Sequence, residues 1–297
     1  MKKIKIISDS SCDLTLEERQ SLGVEVVSFQ VSLDGEKYTR ELEQTTDSFY
    51  KTLIDKPKLR PKTACPLMGD YLDAFEKYCK EYDIICVCLT SKFSASYNTA
   101  LMAKEMCEES IEGVKISVID SEQISLSQGL LIKEIKKMID SGMEYNEIVE
   151  KANEVKKTGR VLFTIGTMEY LNRGGRIGKL AMLLASKAMV RPIILFKDGD
   201  IGSDGFSFGR KKSLIKLIDK IKDYFKKHKE NIEDYEMSIG YGSDIEEGHK
   251  FLENVKEILS EFSEKISYTF AQIGATIAVH TGPYPIGLAF IKKFSKI

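Results

Sequence analysis

Short apolar runs alternate with amphipathic helical stretches through the first half of the 297-residue chain, and that alternation constrains the fold more than any other feature. Ile4 to Ile7 reads as a strand, Leu16 to Leu22 as a short helix and Val24 to Val31 as a second strand, with a hairpin turn signal at Leu33-Asp34-Gly35-Glu36. Helical patterns near Thr46 to Ile54, Leu67 to Tyr82 and Ser96 to Glu109 bracket strand-like runs at Ile84 to Leu89 and Val114 to Ile119. Two more helices, about Ser127 to Ser141 and Tyr145 to Lys157, close the half. Strands separated by helices predict a parallel sheet covered on both faces.

The second half is patterned differently. Strands at Val161 to Ile165 and Arg191 to Phe196 flank a helix expected over Leu180 to Met189, and Lys197-Asp198-Gly199-Asp200 is a hairpin turn into a strand at Ile201. A long helix near Ser213 to Lys227 follows, then strands at Glu236 to Tyr241 and Ser267 to Gln272 around a helix at Glu246 to Ser260, and a last strand at Ile286 to Ile291. Hairpins mixed with helices predict an α+β arrangement. The expected fold is therefore α/β in two domains, a parallel-sheet α/β domain over residues 1–158 and an α+β domain over 159–297.

Composition narrows the function. Charged residues make up 30% of the chain, yet 44 basic and 45 acidic side chains leave a formal charge of -1, without the basic surplus of a nucleic-acid-binding protein. No apolar run approaches the ~20 residues of a bilayer-spanning helix, and Asp9 and Asp13 interrupt the apolar start before a signal-peptide core forms, so the reading is a cytoplasmic protein without membrane insertion. The six cysteines form no CxxC pair and read as buried thiols; three histidines exclude a His-rich metal centre.

Five polar segments follow strands or open helices, where open α/β sheets place ligands. Ser8-Asp9-Ser10-Ser11-Cys12-Asp13 can cap a helix through Asp13 or Thr15, or brace a pocket from behind. Thr90-Ser91-Lys92-Phe93-Ser94-Ala95 leads into a helix whose free N–H groups attract an anion, although Ser94 is equally readable as a plain cap. Lys62-Thr63-Ala64-Cys65-Pro66 is a loop entering a helix. Arg173-Gly174-Gly175-Arg176-Ile177-Gly178-Lys179 reads as an anion cradle or as a helix end with a tight turn, and lacks Walker A spacing. In Ile273 to Pro283, His280 is either a satisfied structural histidine or a donor aimed at a buried ligand. No nucleophile-and-base signature accompanies these hydroxyls, which points to binding over turnover; no catalytic residue, metal ligand or cofactor is expected.

In this order, the segments SDSSCDL (8–14), KTACP (62–66), LTSKFSASYNTA (89–100), VIDSEQISLSQG (118–129), TMEYLNRGGRIGK (167–179), RPIILFKDGDI (191–201) and IGATIAVHTGP (273–283) resemble the bacterial DegV family. The resemblance implies two α/β domains enclosing one long-chain fatty acid. It is similar to the acyl-carrying subunit of bacterial fatty acid kinase, which implies an ATP-dependent kinase as partner. It places carboxylate contacts at Thr63, Ser94, the adjoining Ala95 backbone, His280 and Thr281, and makes Arg173 and Arg176 candidates for docking the kinase. Ala64-Cys65 stands where the family usually has Ser-Gln, and Ala95 where it has Gly. The alternative reading is an enzyme acting on a small anionic substrate, with His280 as acid or base.

Overall fold

A computed structural model describes residues 2–178, 180–181 and 190–297. The first half comprises β1 (Lys3–Asp9), α1 (Leu16–Leu22), β2 (Glu25–Val27), β3 (Gln30–Ser32), β4 (Thr39–Arg40), α2 (Thr46–Asp55), β5 (Lys62–Ala64), α3 (Met68–Tyr78), β6 (Tyr82–Cys88), α4 (Ser96–Ser110), β7 (Ile116–Asp120), α5 (Ser125–Asp140) and α6 (Tyr145–Val155). The second half follows with β8 (Arg160–Thr164), α7 (Glu169–Arg173), β9 (Val190–Lys197), β10 (Asp200–Phe208), α8 (Arg210–His228), β11 (Tyr235–Tyr241), α9 (Ile245–Leu259), β12 (Tyr268–Gln272), α10 (Ala275–Thr281) and β13 (Ile286–Lys292). Of the helix expected over Leu180 to Met189, residues 182–189 lie outside the described residues.

The N-terminal sheet is parallel throughout, in the order β2-β1-β6-β7. Ile84 to Cys88 are all buried because helices cover both faces, which is why β6 reads as a continuous apolar run and not as an alternation. Cys86 and Cys88 share a face with their sulfurs 3.7 Å apart, and all six thiols are free. The C-terminal sheet runs β10-β9-β8-β13-β11-β12, antiparallel except for the β11–β12 pair. The single strand expected over Val24 to Val31 is split. β2 joins the parallel sheet, whereas β3 leaves it to build a small antiparallel sheet with β4 and β5. Residues 62–64, expected as loop, thereby become a strand.

Helix α5 lies between the two large sheets, touching β1 and β6 on one side and β11 and β13 on the other. Leu130, Leu131 and Ile135 join a core that also contains Ile6 and Val87 from the first sheet and Val161, Ala289 and Ile291 from the second. Such a helix is buried nearly all round, and of its first ten residues, Ser125 to Glu134, only Lys133 is not buried. Gly129 permits the closest approach, since a Cβ there would stand 2.7 Å from the Cys12 carbonyl oxygen. Among the described residues no helix is long and apolar enough to cross a membrane.

Candidate functional site

The hydroxyl-rich turn after β1 faces inward, and its purpose is visible in the bonds of Asp9. One carboxylate oxygen accepts from the Leu89 N–H (2.8 Å) and the Ser96 hydroxyl (2.6 Å). The other accepts from the Ser11 hydroxyl (2.5 Å) and the Gln128 side-chain amide (3.0 Å). A buried carboxylate needs several donors to offset lost hydration, and these four tie together β1, the end of β6, the first turn of α4 and helix α5. Helix α1 is capped by Thr15, whose hydroxyl and Glu18 form a capping box, and Asp13 is left free for another task. The turn thus braces the site from behind.

What it braces is the entry to α4. The N-cap position is Ala95, which makes no side-chain cap bond; the preceding Ser94 hydroxyl accepts the Ser96 N–H at 3.1 Å, and a hydroxyl that accepts in this way still has its own proton to donate. Ser96 is fixed in turn by Asp9 and by the Tyr71 hydroxyl (2.7 Å). The helix start therefore presents Ser94 and the Ala95 backbone to a cavity of about 180 Å³.

Both halves of the chain line that cavity. Leu89, Phe93, Ile124, Phe163, Leu171 and Ile201 make it predominantly apolar. Thr63, Ser94, Thr276, His280 and Thr281 supply hydroxyls and one imidazole. Among the described lining residues the charged one is Arg176, and none is a carboxylate. Thr63 Oγ1 lies 3.0 Å from His280 Nε2. Burial, and secondarily the nearby Arg176 guanidinium, holds His280 down to about 4, so the ring is neutral at ordinary pH. Its buried Nδ1 has no hydrogen-bond partner. Gly174 makes the ring's position possible, because a Cβ there would stand 2.2 Å from that Nδ1.

The structure brings Thr63, Ser94, Ala95 and His280 around one cavity, as the sequence suggests, and treats Thr281 and the arginines differently. The Thr281 hydroxyl donates to the Ile277 carbonyl of its own helix (3.1 Å) while its residue lines the cavity. Arg173 is exposed, paired with Glu169 and reaching the Leu59 carbonyl. Arg176, a docking candidate by the family resemblance, lies in the cavity lining. Its guanidinium donates to the Phe93 carbonyl (3.0 and 3.2 Å) and to the Gly174 carbonyl (2.7 Å), bonds that tie α4's entry to the Gly-rich turn. Helix α10, which carries His280, was not anticipated, since seven residues, six of them small or apolar, give no readable helical face. Glu41, buried against that helix, carried no sequence signal, being one of two acids in the turn Glu41–Glu43. The described residues contain no cluster of acids, histidines and cysteines able to hold a metal.

Known proteins share this architecture from end to end. A family model described as "Uncharacterised protein, DegV family" matches residues 3–293. A solved fatty-acid (stearic acid)-binding protein from Eubacterium ventriosum is 38% identical, covers 99% of this chain and 100% of its own, and superposes with a TM-score of 0.94. DegV of Bacillus subtilis, described as a fatty acid binding protein, has the same fold at 24% identity and a TM-score of 0.84, covering 99% of this chain and 100% of its own. A DegV domain-containing protein of Clostridium perfringens is 28% identical over 293 residues, 98% of this chain and 99% of that one.

Proposed function

This chain belongs to the DegV family, and we propose from that premise that it binds one long-chain fatty acid in the Thr63–Ser94–His280 cavity, carboxylate toward those side chains and alkyl chain along the apolar lining. The observation that carries the reading is the charge of the lining, an arginine and neutral donors in an apolar space with no acid among the described lining residues. An anion with a long apolar tail complements that combination. The family's fatty-acid-binding relatives support it. A C16 chain buries some 15 methylene and methyl groups at ~0.8 kcal/mol each, on the order of 12 kcal/mol before the costs of association. The alkyl chain thus supplies affinity. The Thr63 and Ser94 hydroxyls, the Ala95 N–H at the α4 start and neutral His280 supply orientation.

The rest of the proposal concerns what surrounds the site. The two sheets divide near Gly159, giving domains of residues 1–158 and 159–297 that meet at the cavity. The protein works in the cytoplasm and presents its fatty acid to a separate ATP-dependent kinase, which forms the acyl phosphate. Arg173, exposed beside the Gly-rich turn, is the better docking candidate, whereas Arg176 braces the cavity and offsets the ligand's charge. A role for His280 as catalytic base fits less well, because an imidazole held to about 4 is a weak base.

Titration with the fluorescent fatty acid cis-parinarate, competed by palmitate, tests the reading. Saturation at one site per chain with competition is the expected result; absence of saturable binding overturns it. ATP and magnesium with the isolated chain should yield no acyl phosphate, and adding a fatty acid kinase should yield it.

A further inference from the structure

Helix α10 lines the cavity from Thr276 and Ile277 to His280 and Thr281, and its start also holds a pair of buried acids. At its start the Gly274 N–H donates to Asp13 (3.0 Å), while the N–H and hydroxyl of Thr276 donate to the two oxygens of Glu41 (2.7 Å each). Ser10 donates to Glu41 at 2.5 Å, and Ser125 is bonded to the second oxygen of Asp13. The two carboxylates converge, for a Cβ on Gly274 would lie 2.6 Å from Asp13 Oδ1 and 2.9 Å from Glu41 Oε1. Seven residues later the same helix ends in His280 and Thr281. At 1.5 Å per residue that is a rod of about 10 Å, too short to bend, so movement at one end reaches the other.

We propose that Asp13 and Glu41 form a proton-sensitive clamp on α10 that positions His280, so that losing the clamp's proton loosens the hold on a bound carboxylate. This deepens the fatty-acid reading and rests on it for its functional half.

The surroundings of the pair explain the sensitivity. Asp9, the Cys12 thiol and the Tyr50 phenol of α2 face it as further acids, and Arg19 of α1 lines the same pocket of about 280 Å³. From α5 come only neutral groups, Ser125 and Gln128, and the first turn of α10 is Ala275, Thr276 and Ile277 behind Gly274. One negative charge is welcome at a helix N-terminus; a second, buried beside it, repels the first. Burial above all pushes Asp13 up to about 8 and raises Glu41 as well, so the pair retains a proton near neutrality and surrenders it in mild alkali.

The imidazole NMR signals of His280 in the ligand-free full-length chain read the clamp directly, because the ring's own titration near 4 lies outside the range used. Between about pH 6.5 and 9.5 these signals should move with a midpoint near 8, and Asp13→Asn should abolish the step. Ser125→Ala removes a bond that holds Asp13 down and should raise the midpoint, which keeps the test open if the Asn variant fails to fold. No step in wild type, a step persisting in Asp13→Asn, or an unmoved midpoint in Ser125→Ala overturns the clamp. Stopped-flow release of cis-parinarate should accelerate roughly tenfold over the same range in wild type and stay flat in Asp13→Asn. If the His280 step behaves as expected but cis-parinarate never binds, the clamp stands and the fatty-acid reading falls. If cis-parinarate binds and its release ignores pH, the link from clamp to ligand is wrong.

Discussion

The two ends of α10 handle negative charge in the same way for different owners. At its start, backbone N–H groups and the hydroxyls of Ser10, Ser125 and Thr276 hold two carboxylates that belong to the protein. At its far end, Thr63, Ser94, the head of α4 and neutral His280 surround a space whose described lining carries no carboxylate. Each pocket includes a single arginine, Arg19 in one and Arg176 in the other. The contrast teaches that helix N–H groups, hydroxyls and a nearby arginine make up both pockets, and that the second has the equipment of the first with the acid missing. The carboxylate of the proposed fatty acid would complete it.

The sharpest way to break this comparison is to remove the donors at the ligand end. Thr63→Ala combined with Ser94→Ala should weaken fatty-acid binding by about 3 kcal/mol, near 1.5 kcal/mol for each hydrogen bond to a charged group. Calorimetric or fluorescence titration measures it, and an unchanged affinity means the carboxylate sits elsewhere. Next in size is Gly174→Ala. Its Cβ must push the His280 ring aside, at a cost in binding of about 2 kcal/mol, with little change in the fold as judged by circular dichroism.

Arg176→Met comes third. It keeps most of the side chain's bulk but removes the lining's positive charge and the bonds to Phe93 and Gly174, so affinity should fall by about 1–2 kcal/mol. Arg173→Ala should leave affinity alone and lower kinase-coupled acyl-phosphate formation several-fold. A loss of lipid binding there would move Arg173 from the partner surface to the site.

Stability against pH sharpens the comparison further, because the two ends carry opposite signs. His280 is held down to about 4 from 6.5, so the unfolded chain takes up a proton first and this contribution to stability is lost as pH falls from 6.5 to about 4. Asp13 is pushed up from 3.8 to about 8, so the folded chain holds the proton longer and its contribution is lost as pH rises toward 8. Thermal unfolding should show Asp13→Asn gaining on wild type by about 2 °C or more as pH rises, and His280→Gln gaining on it as pH falls. Parallel trends in the two variants would contradict the assignment of the ends.

How much of this was legible in the sequence follows from how local each signal is. Strands β1, β6 and β8 and helices α4, α5 and α9 announce themselves because burial imposes a period on adjacent residues. Thr63, Ser94 and His280 stood out only through their setting after strands and before helices, together with the family resemblance. The sequence does not say that Thr63 and His280, 217 residues apart, meet at 3.0 Å. Nor does it mark Glu41, whose meaning comes entirely from a helix 235 residues away. The place of Arg176 was hidden for the same reason: a glycine-rich turn reads as an anion cradle or a plain helix end, and only the fold carries its guanidinium to the Phe93 carbonyl. The break between β2 and β3 was also hidden, because apolar residues recur from Val24 to Val31 with no glycine or proline between them, while the two parts serve different sheets.

The central claim, that one fatty acid occupies the cavity with its carboxylate at Thr63, Ser94 and His280, is tested most directly by native mass spectrometry. Wild type and the Thr63→Ala, Ser94→Ala double variant would be purified side by side and measured under identical gentle conditions. The account predicts a single adduct with the mass of a long-chain fatty acid on the wild-type chain, identified by extraction, and its marked depletion in the double variant. A wild-type chain that stays bare after incubation with palmitate, or a variant that retains the adduct in full, would contradict it.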